Sequence, residues 1–456
     1  MQTDHDVCPV EPGTPAGPSR RRFLQAFAVG SAGALASAGR RAQASPAAPA
    51  LAGSRGRQDP PEGADAEAAY WERVRREFLV SDELAYMNSG TLGPMPKSVY
   101  YAVVDAYRAL SADPGRENTR HNQAQGGLRE KLAAFVGADA DEIALTRNTT
   151  EGMSFVANGL DLEAGDEVLL SHHEHPGGLE PWKLKAKRQG IVVRELPFPI
   201  PTPEPAEILN RFEAAITPRT KVISVSHVTF PTGCMLPVRE LAALARPRGI
   251  LTAVDGAHAI GMLALDMHDL GVDFYASSPY KWMGAPVGTG MLYLRRESQE
   301  RVWPTVVMAG WDDPERGAAR YDRLSQRAGP LLVAFDAALD FQTGIGRERI
   351  EARVRALATA LRARLAEIPQ ATVHTSTHPV LGCGITGFAL EGFDRRAVVD
   401  TLWRRHHVWV RHTDHDLNTV RVSTHLYNTE EQVDRLIDGV RDILANGALP
   451  LETARG

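Results

Sequence analysis

The run Ile250-Leu251-Thr252-Ala253-Val254-Asp255-Gly256-Ala257-His258, followed by Val272-Asp273-Phe274-Tyr275-Ala276-Ser277-Ser278-Pro279-Tyr280-Lys281, decides the fold. Each half is a short apolar stretch that ends in small and polar residues, the pattern of a strand buried on both faces. Asp255 stands where the first stretch ends and Lys281 just beyond the second. In open α/β sheets the crevice for ligands lies at that carboxyl edge, so the spacing points an acid and a lysine into one crevice. Outward from this pair, strand-like and helix-like segments alternate. Strands are predicted at 142–146, 167–171, 191–196, 221–227, 250–254, 274–277 and 289–294, and helices at 67–78, 97–109, 127–136, 180–189, 207–216 and 238–246. Such alternation predicts an α/β fold with a mostly parallel, seven-stranded sheet in a large domain over 67–335. After Gly329 the texture changes to an Arg/Ala-rich helical stretch from Leu332 to Leu365, broken near Gly344–Gly346. A small C-terminal α+β domain over 336–456 is predicted there, ending in a helix at 430–444.

Hydrophobic residues make up 43% and charged residues 23% of the 456, a balance that suits a globular enzyme and excludes a disordered or fibrous chain. The formal charge of -5 becomes -7 (46 basic minus 53 acidic) without residues 1–44, so nucleic acid is not an expected partner. Cys8, Cys234 and Cys383 are the three cysteines, too few for a disulfide framework and unnecessary for a core of this size.

Ser19-Arg20-Arg21-Arg22-Phe23-Leu24-Gln25 precedes a short, weakly apolar stretch and Ala42-Gln43-Ala44. The pattern resembles a twin-arginine export signal, with Gln25 in place of the usual lysine, and predicts a signal peptide over 1–44. Residues 45–66, rich in Ala, Pro and Gly, read as a flexible linker. The expected location is therefore periplasmic or secreted, with no membrane span in the mature chain.

An acid and a lysine in one crevice are the two groups pyridoxal 5'-phosphate (PLP) requires. The amine bonds the cofactor's aldehyde, and the carboxylate keeps the pyridine nitrogen protonated. Asp255-Gly256-Ala257-His258 and Ser278-Pro279-Tyr280-Lys281 also match, in residue type and spacing, the Asp-x-Ala-[His/Gln] and Ser-x-[His/Tyr]-Lys signatures of the class V aminotransferases. Over roughly residues 80–445 the chain resembles this superfamily, which implies fold type I of the PLP-dependent transferases. The resemblance assigns the cofactor's phenolic oxygen to His258 and its phosphate to Ser278 and Tyr280.

Arg147-Asn148-Thr149-Thr150-Glu151-Gly152 follows one strand and opens a helix. By itself this is equally a plain N-cap or an anion site; the resemblance assigns Thr149 and Thr150 to the phosphate. His172-His173-Glu174-His175 lies at another strand end. Taken alone it suggests a metal-dependent hydrolase built on His172, His173 and His175, although the helical spacing of a zinc protease is absent. The resemblance instead implies that His175 stacks on the cofactor ring. Arg421, in Val420-Arg421-Val422-Ser423-Thr424, matches the family arginine that holds a substrate carboxylate, with Arg411 as a second candidate. The alternative for either arginine is a structural ion pair. Asn88 resembles the N-terminal segment lining the substrate pocket. Gln326 stands where relatives present a phosphate-binding residue to a neighbouring subunit, which implies a homodimer.

The chain departs from cysteine desulfurases in having no cysteine in Thr413-Asp414-His415-Asp416-Leu417-Asn418, and in carrying Phe230 where they have asparagine. Cys383 reads as a core residue at a strand start. The resemblance is therefore to the isopenicillin N epimerase-like branch. It implies a PLP enzyme acting at Cα of an amino acid or amino-bearing peptide, tailoring a secreted metabolite such as a siderophore. A metal hydrolase and a non-catalytic binding protein on this scaffold are the alternatives.

Overall fold

A computed structural model describes residues 63–413 and 417–451. The segments 1–44 and 45–62, with the export motif, lie outside the described residues. In chain order the strands are β1 (Ala85–Tyr86), β2 (Ile143–Thr146), β3 (Glu167–Ser171), β4 (Val192–Leu196), β5 (Thr220–Ser226), β6 (Leu251–Asp255) and β7 (Phe274–Ser277). They continue with β8 (Gly290–Leu294), β9 (Ala371–Val373), β10 (Ile385–Leu390), β11 (Val408–Trp409), β12 (Arg411–His412) and β13 (Val420–Ser423).

The central sheet has seven strands in the order β2-β8-β7-β6-β5-β3-β4. It is parallel except at β8, which runs antiparallel to both β2 and β7. Every residue of β6, β7 and β8 is buried, as a sheet covered by helices on both faces requires. The side chains alternate between two cores: Val254 and Tyr275 enter one, while Leu251, Ala253, Phe274 and Ala276 enter the other. At the edge, β4 is half exposed. The seven predicted strands are all present, within a residue or two at each end.

One helix is longer than its pattern suggested. It spans Pro114–Val136, with Arg116 donating its backbone N–H to the Asp113 carboxylate at the cap (3.1 Å). Its first half is polar and carries no apolar stripe, so periodicity reveals only the second half.

The smaller sheet, β12-β13-β10-β9, is antiparallel. With the helices Arg347–Ala366, Arg395–His406 and Glu430–Asn446 it encloses a third core. Packing shows where the helices change cores. Residue 335 falls inside the helix Gly329–Ile345, whose Leu332, Phe335, Ala338 and Leu339 join the large core. The change of core comes within the next helix, where Ile350 and Val354 face the large core and Leu357, Leu361 and Leu365 the small one. Composition shifts where arginine becomes frequent, whereas the domain changes where the helix turns its apolar side to a different sheet. The N-terminal segment also divides: Tyr70, Trp71 and Phe78 pack on the large core, but Ala85 and Met87 belong to the small one, with β1 paired parallel to β11. No helix among the described residues is long and apolar enough to cross a membrane.

Candidate active site

Asp255 ends β6 and is 4% exposed. Its Oδ1 accepts the backbone N–H of Ala257 at 2.9 Å. Burial raises its pKa, while the Ala257 N–H and the Lys281 charge act in the opposite direction. Lys281 sits in the turn after β7, buried, with its backbone N–H donated to the Ser278 carbonyl at 3.1 Å. Among the described residues its amine makes no hydrogen bond or ion pair. Burial pushes the amine down to about 8; Asp255 pulls it up, and Arg421 and Arg411 pull it further down. At neutral pH about a tenth of such an amine is uncharged, far more than for an ordinary lysine. An uncharged amine is what attack on an aldehyde demands.

Two helix N-termini meet beside this pair. The helix Thr149–Gly159 starts directly after β2 and is capped by Asn148, which accepts the Glu151 N–H at 2.9 Å. The Thr149 N–H donates to Ser278 Oγ at 3.0 Å, and the two hydroxyls lie 2.8 Å apart. Thr150 is exposed, with its Oγ1 against Gly177 in the first turn of the second helix, Pro176–Gln189. That turn passes so close to the floor that a Cβ on Gly178 would lie 3.0 Å from Asp255 Oδ2. Hydroxyls and backbone N–H groups at the positive ends of two helices make an anion cradle. His175 caps the second helix by accepting the Gly177 N–H on Nδ1 (3.0 Å), and its ring meets Phe230 edge-on at 5.3 Å. Burial, then Lys281, Arg421 and Arg411, push its pKa to about 3, so the ring is neutral although it opens to the crevice. His258, in the turn after β6, is buried and held well below its ordinary range by burial, Lys281, Arg421 and His175.

The opposite wall comes from the small domain. Arg421 on β13 is 4% exposed. Its Nη2 donates to Asn88 Oδ1 (3.2 Å) and Thr91 Oγ1 (2.7 Å), its Nη1 to the Phe230 carbonyl (3.4 Å), and among the described residues its Nε has no partner. Every acceptor is neutral. Among the described residues no carboxylate pairs with this buried guanidinium, which burial and Arg411 pull down to about 9. Arg411 is exposed and sits directly opposite Arg421 in the β12–β13 register. The segment Asn88–Gly93 ties the walls together. Asn88 bridges Ser423, and the Gly93 N–H donates to the Tyr280 carbonyl at 3.0 Å, an approach that leaves no room for a Cβ at Gly93.

The structure thus gathers Asp255, Lys281, His258, Ser278, Thr149, Thr150 and His175 on one wall, with Arg421 and Asn88 facing them. Tyr280 is half-buried and joins this arrangement through its carbonyl. Gln326 is exposed, and no hydrogen bond links it to these groups. His172 and His173 do not join a ligand set with His175. Their rings pack 4.1 Å apart and against Phe198. Among the described residues, three ligand atoms come within metal-binding reach of one another only at Asp139, Glu142 and His268, which Arg296 and Tyr293 already engage.

Sequence reasoning passed over three residues. Glu174 is a buried carboxyl joined to the Ser171 hydroxyl and, at 2.6 Å, to the Ser226 hydroxyl, both at strand ends, with Ser226 paired to Asp255 across β5 and β6. Burial pushes it up to about 8, against the two serines and together with the Asp255 charge. Thr91 completes the Arg421 contacts, and Trp282 touches His258. Only Trp282 carried a signal, its position next to the lysine.

The sequence profile of the aminotransferase class-V family matches residues 85–436. The chain belongs to the class-V aminotransferase family. Class-V enzymes are PLP-dependent, and the chain is therefore a PLP-dependent enzyme of fold type I. It is 36% identical over 390 residues to isopenicillin N epimerase of Streptomyces clavuligerus, covering 82% of this chain and 98% of that protein. Among solved structures it resembles the cystine C-S lyase C-DES carrying glycine covalently linked to its PLP cofactor (28% identity, TM-score 0.74, 81% and 99% of the two chains). It also resembles the cysteine desulfurase CsdA of Escherichia coli (25%, TM-score 0.73, 82% and 98%). The residues present fit the class-V cofactor: a partnerless amine, a buried carboxylate, a cradle between helix ends, and a glycine where a side chain would crowd Asp255. Cys234 and Cys383 are both buried, with thiols raised by burial, that of Cys234 to about 12.

Proposed function

We propose that this enzyme acts at Cα of an amino acid or an amino-bearing peptide, with Lys281 as the cofactor lysine and Arg421 as the grip on a substrate carboxylate. The observation that carries this reading is the buried Arg421 guanidinium, met by neutral acceptors alone, across the crevice from an amine of depressed pKa. A charged group so placed is costly unless an anion completes it. When bound, pyridoxal phosphate supplies a ring that accepts electron density from Cα. Asp255 would hold a proton on the cofactor's ring nitrogen, and Thr149, Thr150 and Ser278 would hold its phosphate. His175, neutral at working pH, would pack beside the cofactor, and Lys281 Nζ would take or return the proton at Cα. Arg421, fixed by Asn88 and Thr91, orients the carboxylate.

The likeness to isopenicillin N epimerase and the buried state of Cys234 and Cys383 support epimerisation or transamination over sulfur transfer from cysteine. The Ser19–Gln25 motif supports export by the twin-arginine route and a role in tailoring a secreted metabolite such as a siderophore. The position of Gln326 supports a homodimer in which that residue serves the partner's phosphate. Incubation of the holoenzyme with amino acids and peptides in deuterated water, read by mass and chirality, tests the reading. Deuterium enters Cα of the true substrate class; a panel that retains every Cα proton contradicts it.

A further inference from the structure

His258 lies in the crevice with two ring nitrogens, and the structure determines which of them carries the proton. The indole Nε1 of Trp282 is 3.3 Å from His258 Nδ1. An indole N–H can donate and cannot accept, so Nδ1 must be the acceptor and bear no proton. Burial and the positive charge of Lys281 and Arg421 keep the ring neutral, which leaves one proton for it to carry. We infer that Trp282 is a positioning residue that fixes His258 as the Nε2–H tautomer, so that His258 is a hydrogen-bond donor toward the crevice. Among the described residues no acceptor meets Nε2, and its N–H is available to an oxygen of a bound molecule.

The indole cannot swing away to release this choice. Trp282 is fully buried, and its carbonyl accepts from both Gln342 Nε2 and His425 Nε2, each at 2.9 Å. His425 also stacks on the indole, with ring centroids 5.5 Å apart and planes at 20°. A flip of the imidazole would put a carbon against the indole N–H and leave that donor buried and unpaired, so the contact fixes orientation as well as tautomer. What His258 does to the cofactor rests on the function proposed above, but the tautomer does not.

The test is the imidazole nitrogen spectrum of holoenzyme labelled with 15N-histidine, with the His258 signal assigned by its loss in His258→Phe. Wild type is expected to show a protonated Nε2 and a bare Nδ1, constant from pH 6 to 8. Trp282→Phe is expected to raise the Nδ1–H share by about fivefold, the worth of one ordinary hydrogen bond. A second label covers the case in which that variant does not fold: the Trp282 indole 15N–H signal of wild type moves when His258 becomes Phe. A proton on Nδ1 in wild type, an unchanged tautomer in Trp282→Phe, or an indole signal blind to His258 overturns the inference.

Discussion

The two walls of the crevice are built on different plans. The large-domain wall is made of strand ends and helix starts of one sheet, and its polar groups meet one another there: Asp255 meets Ala257, Thr149 meets Ser278 and His258 meets Trp282. The small-domain wall joins residues more than three hundred positions apart, with Arg421 resting on Asn88 and Thr91. On the proposed function the first wall holds the cofactor, and the second presents a cation that a substrate anion completes. On that reading cofactor and substrate are held by separable structures, and substitutions on each wall test the separation.

The largest effect belongs to Lys281→Ala. Turnover should fall by at least about a thousandfold, because no other amine stands at the carboxyl edge of β7. Borohydride reduction followed by peptide mass mapping should find the cofactor on the tryptic peptide containing Lys281 in wild type and nowhere in the variant. Attachment at another lysine would break the assignment of this wall.

Glu174 gives the next effect, on stability. Its folded pKa of about 8 is above the ordinary value of 4.5, so burial favours its neutral form. The contribution of that form is full below the unfolded pKa and is lost as pH rises through the folded one. Wild type should therefore lose stability between about pH 4.5 and 8, by an amount on the order of a few kcal/mol. Glu174→Gln keeps both serine contacts without an ionisable proton and should lack that decline. Denaturant melts at pH 5 and pH 8 for both proteins show it, and parallel losses in the two would mean that Glu174 is ionised.

The smallest effect is expected from Thr91→Ala, which removes the 2.7 Å contact to Arg421 but leaves Asn88 and Phe230 in place. About 1 kcal/mol of positioning is lost, or roughly a fivefold rise in KM. Cofactor affinity should be unchanged; a weaker cofactor would show that the walls are coupled through Asn88–Gly93.

These plans also explain what the sequence disclosed. Asp255, His258, Ser278 and Lys281 sit at or just beyond the ends of two neighbouring strands, so their motifs lie within one short stretch, and continuous apolar runs reveal the strands themselves. Thr91 and Glu174 were hidden for opposite reasons. Thr91 gains meaning from a residue on β13 that no local pattern connects to it. Glu174 belongs to a visible cluster, His172–His175, whose members turn in different directions: two rings pack on Phe198, the acid goes down between Ser171 and Ser226, and one ring opens to the crevice. Composition likewise records which residues a helix carries and not which core receives them, as in Arg347–Ala366, which serves two cores.

On the proposed function Arg421 completes the site for substrate and not for cofactor. This is tested by titrating Arg421→Ala and wild type with one accepted amino acid and with its carboxamide, following the cofactor's visible absorption. Wild type should bind the carboxylate about tenfold to a hundredfold tighter than the amide, the worth of a charge-assisted bidentate contact. In Arg421→Ala that preference should vanish while the cofactor stays bound with its starting spectrum. A preference that survives the substitution, or a cofactor lost with the arginine, would contradict the claim.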